Sequence, residues 1–166
     1  FLNFPEEVKG KSIIEFLQKD SKNYNALYGY WGGGINITDG KYTYFYYPEN
    51  FDQTSLKKYQ YTLMPTHITS FFTEDELKTA ELTKPFNFTK GIPLLKIAGS
   101  AKTPLYRKLG WNFFQDTETA LYDILNDPGQ RKTIKDKDVE NKLIKSMKIL
   151  MDKNDAPNEA YTRLGI

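Results

Sequence analysis

The feature that most constrains the fold is an alternation of apolar and polar residues on both sides of Asp39-Gly40. This dipeptide favours a type I′ turn between two antiparallel strands. A two-residue turn predicts four cross-strand pairs: Thr38 with Lys41, Ile37 with Tyr42, Ile35 with Tyr44, and Gly33 with Tyr46. One face of the hairpin is then apolar and the other is mixed, as in a sheet with a single buried side.

Three consecutive glycines, Gly32 to Gly34, interrupt the first strand of this hairpin. Glycine inside a strand marks a bulge or a close approach by another backbone segment. A phosphate-binding loop is the rival interpretation. However, the Gly-Lys-Ser/Thr sequence that completes such a loop does not follow these glycines, so we favour a bulge or a close approach.

The C-terminal part of the chain carries the clearest helical pattern. Its apolar residues recur at helical spacing between positions 136 and 153. They are Val139, Leu143, Ile144, Met147, Leu150 and Met151. Acidic residues at the beginning and lysines at the end suit the helix dipole. Pro157 and Gly165 predict a further short helix between them.

The remaining elements are shorter. Capping boxes at Ser12–Glu15 and Thr73–Glu76 predict helices over about 13–19 and up to about residue 80. Segments 58–63 and 119–125 are predicted strands, and 83–115, which contains three prolines, has no clear element. We therefore predict an α+β fold, in which a small antiparallel β-sheet packs against a long C-terminal helix and carries an irregular arm.

Composition excludes several classes of function. Twenty-three basic and twenty-one acidic residues nearly balance, which gives no basic face for nucleic acid. No apolar run is long enough for a membrane span. The absence of Cys excludes a disulfide, a thiolate metal site and a cysteine nucleophile in this segment. With a single His, a zinc site would need three carboxylates. The compartment stays open.

Three residues are candidates for the rim of a substrate site: His67, Trp31 and Tyr28. His67 follows Pro65-Thr66 and is either a histidine satisfied by the backbone or one that reaches the edge of a pocket. Trp31, beside the glycines, is either a core residue or a platform for a ligand. The aromatic content of 15% fits cross-strand packing or a carbohydrate-stacking surface.

Several phrases, in order along the chain, resemble the C-terminal region of bacterial sulfatases of the alkaline-phosphatase superfamily. Residues 5–17 (PEEVKGKSIIEFL) resemble the phrase that closes the catalytic domain in that family. Residues 28–42 (YGYWGGGINITDGKY) resemble the family's hairpin. Residues 121–129 (LYDILNDPG) match its most distinctive phrase, and 61–67 (YTLMPTH) and 88–93 (FTKGIP) resemble one subgroup.

The resemblance implies that residues 1–24 end a catalytic domain, missing from this segment, and that 25–166 form the C-terminal subdomain. In the family, a formylglycine and a divalent metal, usually calcium, perform the chemistry upstream. This segment has no C/S-x-P-x-R motif, so no catalytic residue, metal ligand or cofactor is assigned to it. The implied role is structural support and a substrate rim, inert alone. The implied partners are the catalytic domain and a sulfated small molecule or glycan.

Three alternatives remain open. The chain is either this subdomain, an aromatic-rich module that binds glycans or other partners, or an unrelated hydrolase that uses carboxylates. Within the same superfamily, the parent enzyme acts on sulfate esters or on phosphate or phosphonate monoesters. The subdomain interpretation also predicts an exposed apolar surface for docking of the catalytic domain. Its candidates are Phe86, Phe88, Ile92 and Leu94.

Overall fold

The computed structural model describes residues 25–47, 58–64, 66–99 and 118–166, together with Ile14. In chain order, its elements are β1 (Ala26–Tyr28), β2 (Ile35–Thr38), β3 (Tyr42–Tyr46), β4 (Tyr59–Thr62), α1 (Glu74–Leu77), β5 (Glu81–Thr83), a 3₁₀ helix (Asn87–Thr89), β6 (Leu94–Ala98), β7 (Ala120–Asp123), α2 (Lys137–Lys153) and α3 (Asn158–Leu164). The described strands form two antiparallel sheets, with orders β1-β2-β3-β7 and β4-β6-β5. The predicted α+β class is confirmed.

The hairpin of β2 and β3 forms with a register two residues away from the predicted one. Ile37 lies opposite Tyr44, and Thr38 opposite Thr43. The connection is longer because the Asp39 carboxylate accepts hydrogen bonds from the backbone N–H groups of Lys41 and Tyr42, at 3.0 and 2.8 Å. These bonds satisfy the two N–H groups within the turn itself, whereas in a two-residue turn both residues would belong to the second strand. A shift of two keeps every side chain on its predicted face.

The face predicted to be mixed is also partly buried, so the expectation of a single buried side is wrong. Asn36 and Thr43 are 5% and 2% exposed. The ring of Phe45 makes edge-to-face contacts with Tyr28 and Tyr122, at centroid distances of 6.0 and 5.8 Å. These aromatic side chains shield the polar residues between them from water.

The glycine run lies in the connection that reverses the chain between β1 and β2. A Cβ atom on Gly34 would lie 2.5 Å from the carbonyl oxygen of Tyr46 and 2.6 Å from the ring of Tyr47. Only glycine fits this position without displacing backbone. The predicted close approach is therefore confirmed, although it accompanies a chain reversal and does not interrupt a continuous strand.

The long helix α2 covers the apolar face of the first sheet, as predicted. Asp136 caps it by accepting hydrogen bonds from the N–H groups of Asp138 and Val139, each at 3.1 Å. The buried core joins strands β2, β3 and β7 to helices α2 and α3. Its residues are Ile37, Tyr44, Leu121, Leu143, Met147, Met151, Ala160 and Leu164. The predicted short helix ends at Gly165, which has a φ of 68°.

The second sheet corrects the prediction for segment 83–115. Residues 94–98 form β6, the central strand of this sheet, between β4 and β5. Leu94 and Ile97 are buried, at 3% and 0% exposure. The sequence does not show this strand, because β6 has only five residues and directly follows Pro93, which is a breaker of regular structure. Residues 100–117 lie outside the described part of the chain.

Two polar contacts attach the second sheet to the end of the helical layer. Asp155, between α2 and α3, accepts hydrogen bonds from the backbone and the side-chain amide of Asn87, at 2.9 and 2.6 Å. The hydroxyl of Tyr61, on β4, donates to Glu159 on α3. β4 thus pairs with β6 and is linked to α3 through Tyr61, and it forms one wall of the cavity described next.

The predicted helix over 13–19 lies outside the described residues except for Ile14, which is helical and exposed. Among the described helices, none has the length and apolar character needed to cross a membrane.

Candidate functional site

An open cavity of about 760 Å³ lies between β4 and the segment that leads to α1. Its lining residues are Trp31, Tyr59, Gln60, Tyr61, Thr62, Met64, Thr66, His67, Ile68, Thr69 and Phe72. Most of this surface is aromatic or aliphatic. We call this space the β4 cavity. Its volume lies within the range of about 300–1,000 Å³ that is typical of small-molecule sites.

Trp31 enters the cavity wall from the connection between β1 and β2. Its indole N–H donates to the carbonyl oxygen of Tyr59 at 2.9 Å, which fixes the ring against β4. The ring also lies against Gly99, where a Cβ atom would stand 2.5 Å from it. The tryptophan therefore joins the two sheets, and it has a structural role as well as a place in the cavity wall.

His67 lies in the cavity wall with both ring nitrogens engaged. Nδ1 lies 3.1 Å from Oε1 of Gln60, and Nε2 lies 3.1 Å from Oε1 of Glu76. Both contacts are of hydrogen-bond length, and the donor and acceptor roles of the two ring nitrogens depend on the tautomer. The ring packs against Phe72, with centroids 4.3 Å apart. His67 thus ties β4 to α1.

The Glu76 carboxylate contacts both the N-cap residue of α1 and the ring of His67. One carboxylate oxygen accepts from the N–H and the hydroxyl of Thr73, at 2.8 and 3.0 Å, which completes the predicted capping box. The other oxygen faces His67. Burial raises the pKa of Glu76, but the hydrogen bonds from Thr73 and His67 outweigh it and hold the pKa below its ordinary value. The carboxylate therefore stays charged beside the ring.

Most polar atoms of the wall are already engaged within the protein. The hydroxyl of Tyr61 donates to Glu159. Burial is the larger cause and this hydrogen bond the smaller cause of a raised pKa for the tyrosine. The hydroxyl of Thr62 accepts from the N–H of Met64 at 2.9 Å. The side-chain nitrogen of Gln60 is buried and has no hydrogen-bond partner within the described residues. The wall therefore offers an entering molecule mainly apolar surface.

Of the three predicted rim residues, the structure brings His67 and Trp31 into one wall. Tyr28 is not a lining residue of the β4 cavity. It lies on the first sheet, where its hydroxyl is hydrogen-bonded to the hydroxyl of Thr43. His67 lines the cavity, which agrees with the interpretation of a histidine at a pocket edge. Its ring nitrogens face side chains, whereas the other interpretation expected them to be satisfied by the backbone.

The predicted docking surface is only partly exposed. Phe88 and Ile92 are 63% and 55% exposed, but Leu94 is buried within the second sheet. Phe86 is half-buried and packs on Tyr61, with ring centroids 5.2 Å apart. Leu94 belongs to β6, the central strand of the second sheet, and it is buried there, so this part of the prediction is wrong.

Across residues 25–47, 58–64, 66–99 and 118–166, no three His, Asp or Glu side chains lie close enough together to hold a metal ion. His67 and Glu76 are already paired with each other and with Gln60 and Thr73.

Sequence reasoning missed the residues that surround His67. The predicted capping box places Glu76 in the first turn of α1, which is correct but incomplete. Gln60 and Phe72 carried no signal at all. The capping box fixes where the Glu76 carboxylate lies relative to Thr73, but only the fold of the 63–72 segment brings His67 to it.

No protein-family model, curated protein or solved structure matches this chain.

Proposed function

We propose that the chain is the C-terminal subdomain of a sulfatase-like sulfuric ester hydrolase, where it gives structural support and forms part of the substrate rim. The β4 cavity carries this proposal. Trp31 and His67 come from two separate phrases of the resemblance, and both line this one cavity. A cavity at the edge of a small domain is suited to hold the organic part of a substrate whose ester group lies in another domain.

In this role the described residues position a substrate and do not transform it. The nitrogens of His67 face Gln60 and Glu76 at 3.1 Å, so neither is available to take a proton from a substrate. The chemical step, with its formylglycine and its metal, belongs to the proposed catalytic domain. The subdomain alone is then inert towards sulfate esters.

Two alternatives differ in their support. A phosphate or phosphonate monoester hydrolase of the same superfamily would use the same subdomain, and the described residues favour neither ester. A glycan-binding module needs many hydrogen-bond partners for sugar hydroxyls. The polar groups of Tyr61, Thr62 and His67 are engaged within the protein, which counts against that alternative.

The first test is the intact mass of the natural gene product, with sequencing of its N-terminal peptides. A longer chain that carries C/S-x-P-x-R upstream and hydrolyses an aryl sulfate would support the proposal. Assays of the same product with an aryl phosphate and an aryl phosphonate separate the ester classes. A natural chain without the motif, or without activity on any of these esters, would refute the proposal.

The rim role is tested in that full-length product with Trp31→Phe, and with Tyr30→Phe as the control. Tyr30 is the neighbouring aromatic residue, is 69% exposed and does not line the cavity. We expect Trp31→Phe to raise KM several-fold with a smaller change in kcat, which indicates lost ground-state binding. Equal kinetics for the two variants would remove the rim role.

A further inference from the structure

We propose that the β4 cavity binds an uncharged apolar ring, and that it excludes the anionic ester group of a substrate. This inference deepens the proposed function by naming what the rim holds. It rests on the proposed function only in treating the cavity as a binding site. The chemistry of the cavity wall carries the inference.

The first argument is charge. The cavity wall, as far as the structure describes it, contains no Lys, Arg, Asp or Glu side chain. Among the described lining residues the one potential cation is His67, and the Glu76 carboxylate lies 3.1 Å from that ring. The Lys96 ammonium, 4.2 Å from the centre of the Tyr59 ring, is paired with Glu81 at 3.0 Å. The positive charge of an imidazolium is therefore balanced before any ligand arrives. An anion placed here would lose its hydration without gaining a free cation, and this is costly.

The second argument is shape and surface. Trp31, Tyr59 and Phe72 supply aromatic rings, while Met64 and Ile68 supply flexible and branched aliphatic groups. Ile68 is 93% exposed and Met64 is 52% exposed, so the segment presents apolar side chains to solvent at the cavity mouth. A ring that enters would cover this surface, and aromatic groups favour such edge and offset contacts.

The third argument is that several polar groups of the wall are already hydrogen-bonded within the protein. A sugar ring carries several hydroxyls, and each must exchange water for a partner in the site. The indole N–H of Trp31 is bonded to Tyr59, and the hydroxyls of Tyr61 and Thr62 are also engaged. An aromatic or other apolar ring needs no such partners. The wall therefore favours it over a carbohydrate.

The test compares three probes by isothermal titration against the 166-residue chain at neutral pH. The probes are 1-naphthol, which is uncharged, 1-naphthyl sulfate, which has the same ring with an anionic ester, and methyl glucoside. We expect 1-naphthol to bind at least about tenfold more tightly than the sulfate, a difference that calorimetry resolves easily. Methyl glucoside should show no measurable binding.

Two matched variants locate the binding. Ile68→Ser removes apolar surface at the cavity mouth and should weaken 1-naphthol binding about three- to tenfold. Leu82→Ser, on β5, is the control, because Leu82 is 75% exposed but does not line the cavity. Both side chains are exposed, so neither change should unfold the chain. Thr69→Arg places a cation in the exposed part of the wall and should tighten binding of the sulfate.

Tight binding of 1-naphthyl sulfate by the unmodified chain would overturn the inference, as would binding of methyl glucoside at the strength of 1-naphthol. The same conclusion follows if 1-naphthol does not bind, or if Ile68→Ser and Leu82→Ser affect it equally. None of these outcomes bears on whether the natural gene product hydrolyses sulfate esters. Conversely, loss of the sulfatase proposal in the mass and activity tests leaves the binding measurement standing.

Discussion

Replacement of His67 by alanine tests the central contact of the cavity wall. The ring joins Gln60 on β4 to Glu76 on α1, and its side chain is only 7% exposed. The substitution removes the ring from between the two, and it also removes the contact with Phe72. We expect the chain to fold, because the buried core between the first sheet and α2 does not include His67.

The magnitude follows from the contacts that are lost. A hydrogen bond to a charged group contributes about 1.5–3 kcal/mol, and an aromatic pair adds about 0.5–1.5 kcal/mol. Together they give a loss of about 2–4 kcal/mol in the free energy of unfolding. The loss should stay below that of an uncompensated buried charge, because Glu76 keeps both hydrogen bonds from Thr73.

The assay is urea denaturation near neutral pH, followed by far-UV circular dichroism and by tryptophan fluorescence. Glu74→Gln is the control on the same helix. The Glu74 side chain is 83% exposed and pairs with an exposed Lys78 at 2.8 Å. Exposed ion pairs contribute little, so this variant should change the free energy of unfolding by less than about 0.5 kcal/mol.

A double-mutant cycle of His67→Ala with Glu76→Gln measures the pair itself. Residues in direct contact usually couple by about 0.5–3 kcal/mol, and we expect a value above about 1 kcal/mol here. A loss below about 1 kcal/mol for His67→Ala, or a coupling near zero, would refute the conclusion that the pair holds the cavity wall together.

Three further outcomes are expected. The pKa of Glu76 is lowered in the folded state, so the stabilisation by its carboxylate is present above the ordinary pKa of 4.5 and is lost as the pH falls. In urea titrations at several pH values, Glu76→Gln should therefore make the free energy of unfolding less dependent on pH in the acidic range. Leu143→Ala should cost about 2–5 kcal/mol by urea denaturation, whereas Ile149→Ala on the exposed side of α2 should cost far less. Gly34→Ala should lower the melting temperature in calorimetry, because the added Cβ meets the Tyr46 carbonyl oxygen; an unchanged melting temperature would contradict the close approach.

The sequence by itself determined the elements that are set by neighbours along the chain. The apolar stripe of α2, its cap at Asp136 and the end of α3 at Gly165 follow from periodicity and from local hydrogen bonds. The capping box of Thr73 and Glu76 is equally local. The faces of the hairpin were also predictable, because a register shift of two leaves the alternation unchanged.

The register of the hairpin is also set locally, by the hydrogen bonds that the Asp39 carboxylate accepts from the N–H groups of Lys41 and Tyr42. Tertiary structure alone decided the second sheet and the cavity. β6 is a strand because β4 and β5 pair with it on either side, and its five residues carry too weak a pattern to show this beforehand. His67 meets Gln60 and Glu76 because the chain folds back between β4 and α1. Contacts between distant residues depend on three-dimensional packing, and no spacing in the sequence specifies them.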